Sequence, residues 1–269
     1  MCIIVVKNAK LPFPNIKTLE TCYINNPDGA GFMFIRGGRV NIHKGFMSFN
    51  EFLRGVADAK LDRNQTVVYH FRIATSGGET AKQCHPFPIT KRNKDLMAGY
   101  IETDIGFAHN GIIDKVEPTK TLSDTMIFIK SVLAHEPIRA KLFRRKSKEF
   151  NLMNKLSGAS RLLFLNKHNY VYTGDWKTDS DTGLLFSNST YEESWLANYY
   201  GKRAGAGYSL SDFNGDDDAM ADCPRCKGVE TYSVGCGWCY ECGYEYNYDE
   251  SIIEQQEFEW YEQDYLSQS

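Results

Sequence analysis

The sequence predicts an α+β fold, its strands joined mostly by hairpins, followed by a small cysteine-rich module. Three observations carry this. Short β-branched and aromatic runs are separated by tight turns rather than by regularly spaced helices, which argues against βαβ repetition. The 269 residues are 42% hydrophobic and 13% aromatic, enough to build a packed core. Five of the eight cysteines crowd between positions 223 and 242.

Each element follows from its local chemistry. Cys2–Lys7 is a short apolar strand. Gly31–Ile42 reads as a hairpin, because Gly37-Gly38 supplies the positive φ angles of a tight turn. Ser48-Phe49-Asn50-Glu51 is a capping box that opens a helix reaching about Lys60. Thr66–Ile73 and Ile105–Ala108 are strands. Ser123 caps a helix through about His135, which Pro137 ends. Arg161–Leu165 and Tyr170–Thr173 form a second hairpin, Leu184–Phe186 is a last buried strand, and Tyr191–Lys202 is a helix.

Charge divides the chain as the cysteines do. The total is −3, but Tyr208–Ser269 holds fifteen Asp and Glu against two Lys and Arg, so −13. The preceding 207 residues carry 19 acidic and 29 basic groups, so +10. A stretch rich in Gly, Ser, Asn and Asp separates the two parts. The expected boundaries are a domain over 2–204, a linker over 205–221, and a cysteine-rich, acidic, aromatic module over 222–269. No apolar run approaches the ~20 residues of a membrane span, and the N-terminal apolar stretch stops at Lys7. A soluble, cytoplasmic protein is expected, with no membrane partner.

Cys2 follows the initiator methionine. If Met1 is removed, one residue presents both a thiol and a free α-amine, whose ordinary pKa near 7.7–8.0 suits it to act as base for that thiol. Alone, a cysteine here is more simply a small apolar residue in a strand. The rest of the chain changes the weighting. Asn26-Pro27-Asp28-Gly29 precedes the first hairpin. His70-Phe71-Arg72-Ile73-Ala74-Thr75-Ser76-Gly77-Gly78 runs from a strand into a Gly-rich loop. Cys84-His85-Pro86-Phe87-Pro88 follows, then Ala108-His109-Asn110-Gly111-Ile112-Ile113, then Leu122-Ser123-Asp124-Thr125 at a helix start. In this order after Cys2, these segments resemble the glutaminase domain of class II glutamine amidotransferases, the N-terminal-nucleophile (Ntn) hydrolases. The resemblance covers about residues 2–200 and implies a four-layer α-β-β-α sandwich.

It also implies roles. Cys2 is the nucleophile that an unreactive carboxamide requires. The Asn110 side-chain amide and the Gly111 backbone N–H form the oxyanion hole, where one lost donor costs about 2.7–4 kcal/mol of transition-state stabilisation. Arg72 grips the α-carboxylate of glutamine through its planar fork. Asp124 receives the α-ammonium, and Thr75 and Gly77 belong to a loop that folds over the substrate. Each has a plainer reading in isolation: Arg72 a strand-surface charge, Asn110-Gly111 a turn, Asp124 a first-turn helix acid. Ile73, Ser76 and Ile3 stand where the family often has Trp, His and Gly, which puts the subfamily and the loop closure in question. His70, His85 and His109 are assigned structural roles, since the N-terminal mechanism needs no histidine.

Cys223-Pro224-Arg225-Cys226 and Cys239-Tyr240-Glu241-Cys242-Gly243 form CxxC-x12-CxxC, the spacing of a zinc ribbon holding one structural Zn²⁺ through four thiolates. Cys236 makes a competing CxxC with Cys239; Gly243 after Cys242 favours the Cys239/Cys242 pair. Catalysis needs no cofactor. The module's negative charge opposes nucleic acid and favours a protein contact. The basic run Arg139–Lys148 carries six cations in ten residues; a solvated helix face is its simplest reading, with nucleic acid, an acidic partner or the chain's own tail as alternatives.

The expected function is therefore a glutaminase that releases ammonia. Only about 60 residues lie outside the catalytic domain, too few for a second enzyme, so an ammonia-accepting synthase or ligase would act in trans. Two alternatives remain open. One is an Ntn amidohydrolase acting on another amide or a γ-glutamyl compound. The other is a non-catalytic zinc-ribbon adaptor, which a retained Met1 would favour.

Overall fold

The computed structural model describes residues 2–73, 80–119 and 121–192, and the backbone of three short strands at 220–221, 232–233 and 238–239. The chain divides into two units, Met1–Asp212 and Phe213–Ser269.

In the first unit the elements follow one another as β1 (Ile3–Lys7), α1 (Ile16–Ile24), β2 (Ala30–Arg36), β3 (Arg39–Phe46), α2 (Phe49–Asp58), β4 (Val67–Phe71), β5 (Phe87–Pro88), α3 (Asn93–Leu96), β6 (Tyr100–Thr103) and β7 (Ile105–Asn110). Then come α4 (Asp124–Phe128), α5 (Ile138–Lys141), α6 (Lys148–Leu156), β8 (Arg161–Asn166), β9 (Tyr170–Tyr172), β10 (Lys177–Thr178) and β11 (Leu185–Phe186). They build a mixed α/β unit with two sheets. The larger has the order β10-β11-β1-β4-β2-β3-β6 and the smaller β5-β7-β8-β9; neighbours pair antiparallel throughout.

Alternation along the strands explains how the sheets pack. Ile4, Val6, Met33, Val40, Ile42 and Val68 of the larger sheet share one apolar cluster with Ala108, Leu163 and Leu165 of the smaller. Gly106 keeps this contact close: a Cβ there would lie 2.5 Å from Met33 Sδ. The neighbouring residues Phe107, Leu162 and Phe164 point the other way, into a second cluster with Met126 and Phe128 of α4, Leu142 after α5, and Phe150 and Met153 of α6. On the far side of the larger sheet, Phe52 of α2 sits edge-on to Phe32, Tyr69 and Phe71, with ring centroids 5.0–6.1 Å apart. The central strands are thus buried on both faces, which is why β4 and β7 are buried along their whole length.

The Gly37-Gly38 hairpin forms with φ of +59° and +72°. The Ser48 capping box forms too: Ser48 Oγ accepts from Glu51 N at 3.2 Å, and Glu51 Oε2 accepts from Ser48 N at 3.3 Å. The helix capped by Ser123 departs from expectation. It is α-helical only to Phe128, and a π-helical turn follows over Ile129–Leu133, closed by Ala134 N–H reaching Ile129 O at 2.8 Å. The basic run is not one helix. It crosses α5 and reaches the first residue of α6, with Arg139 3.6 Å from Asp104 and Arg145 donating to Tyr172 O. Apart from Tyr191 and Glu192, which lie in a turn, the helix expected over Tyr191–Lys202 falls outside the described residues.

In the second unit Met220–Ala221, Tyr232–Ser233 and Trp238–Cys239 form a three-stranded antiparallel sheet, β12-β13-β14. Among the described residues no helix is long and apolar enough to cross a membrane.

Candidate active site

The site lies where strand ends from the two sheets converge. Antiparallel pairing of β1 with β4 sets Ile3 opposite Phe71, so Cys2, just before β1, meets Arg72 and Ile73, just after β4. Gly111 follows the last residue of β7, and Asp124 is the first residue of α4. Cys2, Arg72, Ile73, Gln83, His85, His109, Gly111, Ser123, Asp124 and Thr125 line one cleft.

Cys2 Sγ donates to Ile73 O at 3.6 Å and accepts from Ile73 N at 3.5 Å. Burial pushes its thiol above the ordinary range, opposed by the Ile73 hydrogen bond and the Arg72 charge. A thiol held neutral in this way needs a base before it can attack. The Cys2 carbonyl is fixed by Asn188 Nδ2 at 2.8 Å.

Arg72 is only 4% exposed. Its guanidinium donates to Asp28 O at 3.4 Å and to Gln83 Oε1 at 3.3 Å, while its backbone pairs with Asp28 N and Gly29 O. The Asn26–Gly29 turn therefore braces the arginine. Neither of these two bonds is short, and they go to different acceptors, so neither is the bidentate pair that a carboxylate makes with a guanidinium.

Asp124 is held on the opposite wall. Its Oδ2 accepts from Ile113 N at 3.1 Å and its Oδ1 from Thr125 N at 2.8 Å, while Ser123 Oγ caps the helix by accepting from Met126 N. Gly111 has φ +144°, and an added Cβ would lie 2.5 Å from Ser160 Oγ and 2.9 Å from Ser160 Cα, so only glycine fits. Asn110 precedes it, fully buried behind the cleft, with Nδ2 donating to Ser187 Oγ at 2.9 Å.

Three buried histidines cluster here, and two of them, His85 and His109, line the cleft. His70 stacks on His85 with centroids 4.3 Å apart, and His85 lies 6.1 Å from His109. His70 Nε2 bonds His109 O and His109 Nδ1 bonds Thr125 Oγ1, each at 2.9 Å. Burial lowers all three: His70 to about 3, His109 to about 4 with Asp124 opposing, and His85 well below its ordinary value, helped by His70, His109, Arg72 and Lys44. The direction of these shifts favours neutral rings near pH 7.

Of the residues singled out from sequence, the structure brings Cys2, Arg72, Gly111 and Asp124 into one cleft, with Asn110 directly behind it. Thr75 and Gly77 lie outside the described residues, as do Cys223, Cys226, Cys236 and Cys242; for Cys239 only the backbone in β14 is described. Among the described residues no group of three or more His, Cys, Asp or Glu is placed to hold a metal. Sequence reasoning missed Gln83, Thr125 and Ser187. Thr125 was legible as the neighbour of Asp124, whereas Gln83 and Ser187 carry no local motif.

No protein-family model and no curated protein matches the chain. Among solved structures it is similar to the glutamine phosphoribosylpyrophosphate amidotransferase from B. subtilis complexed with ADP and GMP, with a TM-score of 0.43 and 14% identity. That match covers 71% of this chain and 42% of the other, so this chain spans less than half of that protein's length.

Proposed function

We propose that this protein is a glutaminase of the class II amidotransferase kind, with Cys2 as nucleophile. One observation carries the reading: a second-position thiol, a buried guanidinium, a carboxylate and a positive-φ glycine from four separated segments line a single cleft. Arg72 and Asp124 match the two ends of an amino acid, and Gly111 N–H with Asn110 serves a developing oxyanion. The two facing sheets with helices outside both fit the four-layer sandwich of Ntn hydrolases.

In the mechanism, removal of Met1 frees the Cys2 α-amine, which takes the thiol proton. The thiolate adds to the glutamine Cδ, and the carbonyl oxygen becomes an oxyanion held by Asn110 and Gly111. The α-ammonium returns the proton to nitrogen, the C–N bond breaks and ammonia leaves. Water then cleaves the glutamyl thioester, releasing glutamate and restoring the thiol. The ammonia acceptor is a synthase acting in trans. In the C-terminal module Cys223, Cys226, Cys239 and Cys242, two CxxC pairs of soft thiolate donors, would hold a Zn²⁺ whose role would be structural.

The test is glutamate release from glutamine by the Met-processed protein beside Cys2→Ala. The variant is expected to lose activity to background; equal rates overturn the proposal.

A further inference from the structure

Asn110 has an unusual setting for a side chain assigned to an oxyanion. It is fully buried, and among the described residues its carboxamide has one hydrogen-bond partner, Ser187 Oγ at 2.9 Å; Oδ1 has none. A carboxamide on a single tether turns readily about its terminal torsion, which is broad and roughly two-fold. What fixes the tether therefore fixes the donor. Ser187 is itself fully buried and doubly anchored to β1: its Oγ accepts from Ile4 N at 2.9 Å and its N–H donates to Ile4 O at 3.0 Å. Ile4 is two residues from the nucleophile. The hydroxyl thus ties the strand that carries Cys2 to the side chain that faces the charge Cys2 creates. One Asn110 N–H is spent on this tether and the other is left for the oxyanion.

We propose that Ser187 is a positioning residue for the glutaminase reaction, acting through Asn110 by holding its carboxamide at a set distance from β1. The inference rests on the proposed function above and adds a residue that no motif announced. Asn110 meets charge that exists only in the transition state, so loss of its tether lowers kcat and leaves KM for glutamine nearly unchanged. The loss should stay below the ~10²–10³-fold that removing an oxyanion donor outright produces.

The experiment measures kcat and KM for glutamine in Ser187→Ala, Asn110→Ala and the double variant, with thermal unfolding of each. Ser187→Ala is expected to lower kcat roughly 10–100-fold with KM within about two-fold, and to add nothing in the Asn110→Ala background. Ser187→Cys, close in volume but a weak hydrogen-bonding group, guards against a folding defect and should show the same kcat loss in a protein that melts normally. An unchanged kcat in both Ser187 variants, or losses that multiply with Asn110→Ala, overturns the inference while leaving the glutaminase intact. A wild-type protein without Cys2-dependent glutamate release overturns both.

Discussion

Gly111 shows how narrowly a single position can be specified. Both its φ of +144° and the crowding by Ser160 exclude a side chain. Gly111→Ala should cost about 2–4 kcal/mol, combining backbone strain with overpacking, and chemical denaturation would measure it. The buried histidine cluster makes a separate prediction. Each ring has a folded pKa below its unfolded value of about 6.5, so between the two the unfolded chain binds more protons. Their contribution is complete above pH 6.5 and is lost as pH falls toward 4. Urea midpoints across that range should fall with acidity, and His70→Gln should flatten the slope. Legibility at this scale depended on motif. Cys2, Arg72, Gly111 and Asp124 could be read because each sits in a recognisable local run. Gln83 and Ser187 could not, because their importance comes from partners 11 and 77 residues away.

At the scale of elements, capping chemistry was the most readable signal. Ser48 and Ser123 were recognised as N-caps, and both accept the expected backbone hydrogen bond. Removing the capping-box hydroxyl with Ser48→Ala should destabilise the protein by about 1 kcal/mol and leave kcat of the proposed reaction unchanged, since α2 packs on the far side of the larger sheet from β7. Activity and thermal unfolding measured together check both halves. Other elements were hidden for definable reasons. Helix α1, capped by Asn15, was not among the expected elements; Pro12 and Pro14 stand just upstream of it. Helix α6 starts at Lys148 under a Ser147 cap, and the charge run before it drew the reading toward one continuous basic helix. The π turn after Phe128 had no sequence signature, because apolar spacing alone does not distinguish a widened turn from an α-helical one.

For the whole molecule, composition separated a basic part from an acidic, cysteine-rich one, and hairpin spacing gave the antiparallel sheets. Sheet order was not legible, since it depends on β11 returning to lie beside β1, with Val5 opposite Phe186. The C-terminal proposal has its own check. Purified protein should contain about one zinc per chain by mass spectrometry, Cys223→Ser with Cys226→Ser should reduce that to near zero, and glutamate release should persist. Unchanged zinc in the double variant would remove those two cysteines from the ligand set.

The pairing of Ile4 with Ser187 spans 183 residues. During synthesis at about 5–20 residues per second, the segment that closes the site leaves the ribosome on the order of ten to forty seconds after the nucleophile. Until then the nascent chain has the Ile73 partners of the thiol but lacks Asn188, which fixes the Cys2 carbonyl, and Ser187, which tethers Asn110. The pairing of β1 with β11 is a long-range contact of the kind that slows folding, because its loop-closure entropy is spent before the contact forms.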